Sequence, residues 1–184
     1  ARVGAGDVGA RVARQLLTSE TGDRGVLRDT SADGRARVSR SLGERGVLEN
    51  RPFTADREAD VMVIASPRGT QLEAVEAAIE ARRPAVLVGD GLAETIAVLA
   101  LAGVAGRAGV PVAVGCGFAP GLSCLLAAHG GSWFERVEEI HVAKAGTGGP
   151  ACALVHHRAL SRRSYDWREG DWVRRPGGSG RELA

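Results

Sequence analysis

The feature that most constrains this chain is a set of three glycines at its N-terminal edge, Gly4-Ala5-Gly6-Asp7-Val8-Gly9, between an apolar stump (Ala1-Arg2-Val3) and an amphipathic helical pattern. In that context the spacing has a mechanical meaning. Gly4 permits a tight turn out of a strand, Gly6 lets backbone approach a pyrophosphate, and Gly9 lets the helix pack close to the strand. The helix expected over residues 8–19 carries Val8, Val12 and Leu16 on one face at four-residue spacing. Its first amides and positive dipole end would point at the phosphates. Gly4, Gly6, Asp7, Val8 and Gly9 are therefore candidate cofactor-binding residues.

The first two-thirds of the chain alternate short apolar runs with helical patterns, which predicts repeated βα units on a parallel sheet. Strands are expected at 25–28, 46–48, 61–65, 84–88 and 110–114, and helices at 32–45, 92–107 and 120–128. The run Val61-Met62-Val63-Ile64-Ala65 has the continuity of a strand covered on both faces. Thr70 and Glu73 fit a capping box, opening a helix with Leu72, Val75 and Ile79 on one side. From Gly131 the rhythm changes: a strand is expected at 137–143, then turns at 146–150, 170 and 176–180, with Trp167 and Trp172 on a hairpin around Glu169-Gly170. The fold class read here is α/β: a Rossmann doubly wound parallel sheet over residues 1–130, then the beginning of a second, mostly antiparallel domain over 131–184. The start at Ala1 and the glycine-rich close read as cut ends, so a fragment is expected.

Composition narrows the partners. The 24 basic residues are nearly matched by 22 acidic ones, and no basic run interleaved with aromatics offers a nucleic-acid surface. The longest apolar stretch, over residues 92–104, falls short of the about 20 residues of a membrane span. Three cysteines make no disulfide framework, and no leader pattern opens the sequence, so a cytoplasmic setting is expected.

Asp29 follows the second strand, twenty residues after Gly9, where a carboxylate can bind the adenosine ribose of NAD. Arg28, Arg35 and Arg37 nearby suit the 2′-phosphate of NADP instead, and both cofactors stay open. Ligands of an open α/β sheet lie at the strand ends. This singles out Ser66 and Pro67, the loop Gly89-Asp90-Gly91, and the turn Gly115-Cys116-Gly117-Phe118-Ala119-Pro120-Gly121. Glycines in that last turn would let backbone approach a flat ring, and Pro120-Gly121 would aim a helix N-terminus into the cleft. For Ser66 and Asp90, plain turn-forming roles weigh equally.

Together the GAGDVG motif, the strand ending in Ala65-Ser66-Pro67 and the segment GFAPGLSCLLA resemble the saccharopine dehydrogenase-like family, which is itself similar to homoserine dehydrogenase-type reductases. The resemblance covers residues 1–129, and Pro120-Gly121-Leu122 is its most specific part. It implies a Rossmann domain joined to a second domain that completes the substrate site and mediates homodimer formation. It also implies an NAD(P)-dependent oxidoreductase acting by hydride transfer on an amino-acid-like or imine small-molecule substrate. Gly4, Gly6 and Gly9 become cofactor residues, with Gly117, Phe118, Pro120 and Gly121 beside the nicotinamide.

Hydride transfer needs a group that handles the accompanying proton. His156, next to His157, is a candidate by intrinsic acidity, set against a plain solvated segment. Lys144 is another, as the only lysine in a chain that uses arginine everywhere else. Cys152, His156 and His157 fall short of a zinc pattern, so no metal is expected. Two further readings compete: a non-catalytic NAD(P)-binding sensor, and an adenosine-cofactor methyltransferase, which the Pro120-Gly121 segment fits poorly.

Overall fold

Val63 is buried on one side of a short strand while its neighbours Met62 and Ile64 are buried on the other, and this two-sided burial organises the first unit. The computed structural model describes residues 2–4, 6–19, 25–28, 32–43, 46–49, 59–142, 149–177 and 179. It divides into two compact units, Ala1–Lys144 and Ala145–Ala184, with the boundary later in the chain than residue 130.

In the first unit β1 (Arg2–Gly4) leads into α1 (Asp7–Thr18), β2 (Gly25–Arg28), α2 (Ala32–Leu42) and β3 (Gly46–Glu49). The chain then returns to β4 (Met62–Ile64), α3 (Gln71–Glu80), β5 (Ala85–Leu87), α4 (Leu92–Ala100), α5 (Ala102–Ala108), β6 (Val112–Ala113) and α6 (Leu122–Gly131). The strands lie in the order β3-β2-β1-β4-β5-β6, every described pairing is parallel, and Val3 sits between Leu27 and Val63. This is the doubly wound Rossmann order, reversing direction between β1 and β4.

Helices cover both faces. Met62, Ile64 and Leu87 pack with Ala74, Val75, Ala78 and Ile79 of α3, and with Val98, Ala105 and Val110. On the other face Val63 meets Ala10 and Ala13 of α1 and Val38 of α2. Burying a side chain such as Ile64 or Leu87 stabilises the fold by about 1.5–3 kcal/mol.

Several expectations need correcting. The buried face of α1 is Gly9, Ala10, Ala13 and Leu17, with Val12 and Leu16 flanking it and Val8 exposed. Small side chains face the sheet because the helix lies close to it. The helix expected over 92–107 is two, because Leu101 adopts a tight turn in which its N–H bonds back to Val98 O at 3.0 Å. Gly43 and Gly109, both at positive φ, end α2 and α5. Residues 137–142 form no strand, having no neighbour to pair with among the described residues, and residue 143 lies outside them.

The second unit holds α7 (Pro150–Leu160) and an antiparallel hairpin, β7 (Arg163–Arg168) with β8 (Asp171–Pro176). The helix was not expected there. The hairpin was: Trp167 pairs with Trp172, and the positive φ of Glu169 and Gly170 is that of a two-residue turn matched to strand twist. Among the described residues no helix is long and apolar enough to cross a membrane.

Candidate functional site: the strand-end crevice at the sheet reversal

Where the strand order reverses, the helices that follow β1 and β4 pack on opposite faces of the sheet, and it is at such a reversal that an open α/β sheet binds its ligands. Gly4 ends β1 and Gly6 is the N-cap of α1. Gly6 has no side chain with which to cap that helix, and a Cβ added there would meet nothing within 4 Å. The turn thus presents bare backbone and a positive dipole end, which is the chemistry that receives phosphate. Asp7 and Val8 are exposed in the first turn, and Gly9 is buried behind them.

Across the reversal Ser66 and Pro67 follow β4. The Ser66 hydroxyl oxygen is buried without a hydrogen-bond partner. A buried hydroxyl left unpaired is costly, so an orphan here points to a missing acceptor or donor. A glycine N-cap with open space at the head of α1 and an orphan hydroxyl across the reversal together fit a bound dinucleotide.

Behind Ser66 the loops after β4 and β5 are fastened together. Gln71 is buried, and its Nε2 donates to Ser66 O at 3.0 Å while its amide occupies the space where Gly89 has no side chain. Arg68 pairs with Asp90 at 3.0 Å, half-exposed at the rim. The expected capping box does not form. Thr70 takes a backbone conformation unsuited to capping and donates its hydroxyl to Pro67 O at 2.9 Å, and Glu73 is exposed. Glu94 of α4 caps α3 instead, accepting from Gly69 N, Gln71 N and Leu72 N.

The glycine turn after β6 is closed upon itself. Gly117 N donates to Pro120 O, and Leu122 N and Ser123 N donate to Gly117 O and Phe118 O. A Cβ on Gly121, whose φ is 131°, would strike Gly117 O, and one on Gly117 would come within 2.9 Å of Val88 O. These glycines permit close approach of the loop to itself and to the end of β5. The first amides of α6 are bonded within the turn. Phe118 is half-buried, and Cys116 and Pro120 are exposed. At the start of α6 the Gly121 N–H, and then the Ser123 hydroxyl, hold the exposed Cys124 thiol below its ordinary pKa, against a smaller opposing effect of desolvation.

Asp29 and Lys144 lie outside the described residues. Arg28 ends β2 with its side chain largely buried, and Arg35 and Arg37 fall on α2. His156 and His157 are exposed on α7 of the second unit, where Cys152 lies one turn before His156. Sequence reasoning missed Gln71 and Glu94. For Gln71 the available signal was a polar residue at the first position of a helix whose other inward positions are apolar.

No protein-family model matches the chain, and no curated protein does. Solved structures do. Biliverdin reductase from Synechocystis sp. PCC 6803, crystallised with biliverdin and NADP+, is 20% identical over 61% of this chain and 35% of its own, with a TM-score of 0.51. A probable dehydrogenase from Thermotoga maritima is 19% identical over 61% of this chain and 35% of its own, with a TM-score of 0.50. The likeness establishes the Rossmann fold. The chain spans about a third of the length of each of these proteins.

Proposed function

We propose that this chain is the nucleotide-binding part of an NAD(P)-dependent oxidoreductase. The observation that carries the reading is the N-terminus of α1, whose N-cap Gly6 has no side chain and open space around it, at the point where the sheet order reverses. The α1 amides would hold the pyrophosphate, the Ser66 hydroxyl would gain its missing partner, and the Gly117–Gly121 turn would border the ring. The nicotinamide supplies or accepts the hydride when bound. The amino-acid-like or imine substrate rests on the resemblance of residues 117–127 to saccharopine dehydrogenase-like proteins. Proton transfer is assigned to Lys144 or His156.

Calorimetric titration of the chain with NAD, NADH, NADP and NADPH tests the proposal. Saturable binding of at least one is expected, and failure of all four overturns it. A second reading, a non-catalytic NAD(P)-binding module, is favoured by one feature: the charged groups of the β4 and β5 loops are occupied by each other or by backbone. Turnover of any amino-acid or imine substrate excludes that reading.

A further inference from the structure

Helix α6 carries its apolar residues on the outside. Ser123, Ala127 and Gly130 are half-buried, whereas Leu122, Leu125 and Leu126 stand exposed at i, i+3 and i+4, and no residue of the helix is fully buried. His129 continues the same stripe one turn later and meets Trp133 edge-on at 5.0 Å between ring centroids. Leu125 is 69% exposed, Trp133 72%, and Phe134 beside it 67%. These five large apolar side chains present on the order of 600 Å², the upper end for the largest patch on a monomer and most of the roughly 800 Å² that each partner covers in a standard interface.

We infer that this stripe is the contact surface for a second copy of the chain, with α6 packing against α6 across a two-fold axis. A two-fold interface sets one patch against itself, so the patch must be self-complementary. The α6 stripe meets that condition: the helix contains no Asp, Glu, Lys or Arg, so pairing opposes no like charges. A charged partner would find no counter-charge on it. Leucines at i, i+3 and i+4 form the ridges that interdigitate between crossing helices. This surface differs from the second-domain contact that the family resemblance implies, and it is independent of the cofactor reading.

Sedimentation velocity of the full chain over a wide concentration range tests the inference. A dimer is expected, converted to monomer by Leu125→Glu with circular dichroism unchanged. Trp133→Arg, beyond the helix end, is the second variant and should do the same. On the unsubstituted chain, hydrogen exchange over residues 122–134 should slow as concentration rises. A monomer at every concentration overturns the inference, including one in which residues 145–184 cover the stripe. So does a dimer that survives both substitutions, or exchange in this segment that is independent of concentration.

Discussion

The Glu94 carboxylate lies 2.7 Å from the Gln71 backbone nitrogen, so the N-terminus of α3 is capped by a residue of α4. Gly69 N and Leu72 N donate to the same carboxylate at 3.1 and 3.3 Å. A carboxylate at this end of a helix also opposes the helix dipole. Removing it leaves three amides dependent on water. Glu94→Ala should lower stability by about 2 kcal/mol, and Glu94→Gln, which keeps one acceptor, by about half as much. Urea denaturation checks both. A Glu94→Ala variant as stable as the parent would show the cap to be dispensable.

Gly89 and Gln71 make a second, separable prediction. An alanine Cβ at Gly89 would occupy the space of the Gln71 amide, the far end of a flexible side chain. Gln71 would swing aside and lose its bond to Ser66 O. Gly89→Ala should therefore destabilise by about 1–2 kcal/mol in the parent and by much less in a Gln71→Ala background, a coupling that a double-mutant cycle reads directly. Equal effects in both backgrounds would mean that the two residues do not share this space.

The sheet was largely legible because its signal is local. Residues 25–28 form the expected strand, and the apolar run around Val63 is covered on both faces as continuity implied. The face of α1 was not legible, since Gly9, Ala10 and Ala13 carry little hydrophobic signal and yet sit nearest the sheet. The α3 cap was misread for a different reason. Thr70 and Glu73 have the right spacing, but Glu94 arrives from another helix, and spacing cannot see it. At the site, the glycines of the first turn and those after β6 look alike in sequence. Only geometry separates an open bend at Gly6 from one that closes on itself at Gly121.

That contrast is testable by matched substitutions. Gly6 has φ of −71° and open space, so Gly6→Ala should change stability by no more than about 0.5 kcal/mol. If the pyrophosphate sits there, dinucleotide affinity should nonetheless fall about tenfold or more, since the methyl stands where backbone must approach. Gly121→Ala meets backbone oxygens and an unfavourable positive φ, neither of which can yield cheaply. It should destabilise by more than about 4 kcal/mol or prevent folding. Thermal melts and NADPH titrations read the two effects separately. Equal melting losses in both variants would refute the distinction.

The Cys124 thiol yields a pH prediction whose sign follows from its surroundings. The Gly121 N–H and the Ser123 hydroxyl favour the thiolate, so the folded chain gives up this proton at lower pH than the unfolded chain does. Between those two values the unfolded state binds more proton, and this group's stabilising contribution grows as pH rises and is lost as pH falls through the folded value. Alkylation tracks the thiolate. The iodoacetamide rate at Cys124, followed by peptide mass spectrometry, should rise at lower pH than that of a cysteine peptide. Ser123→Ala should move the rise back toward the peptide. A rate profile that overlays the peptide's would show that the start of α6 exerts no such pull on the sulfur, and one that ignores the loss of Ser123 would show that the hydroxyl has no part in it.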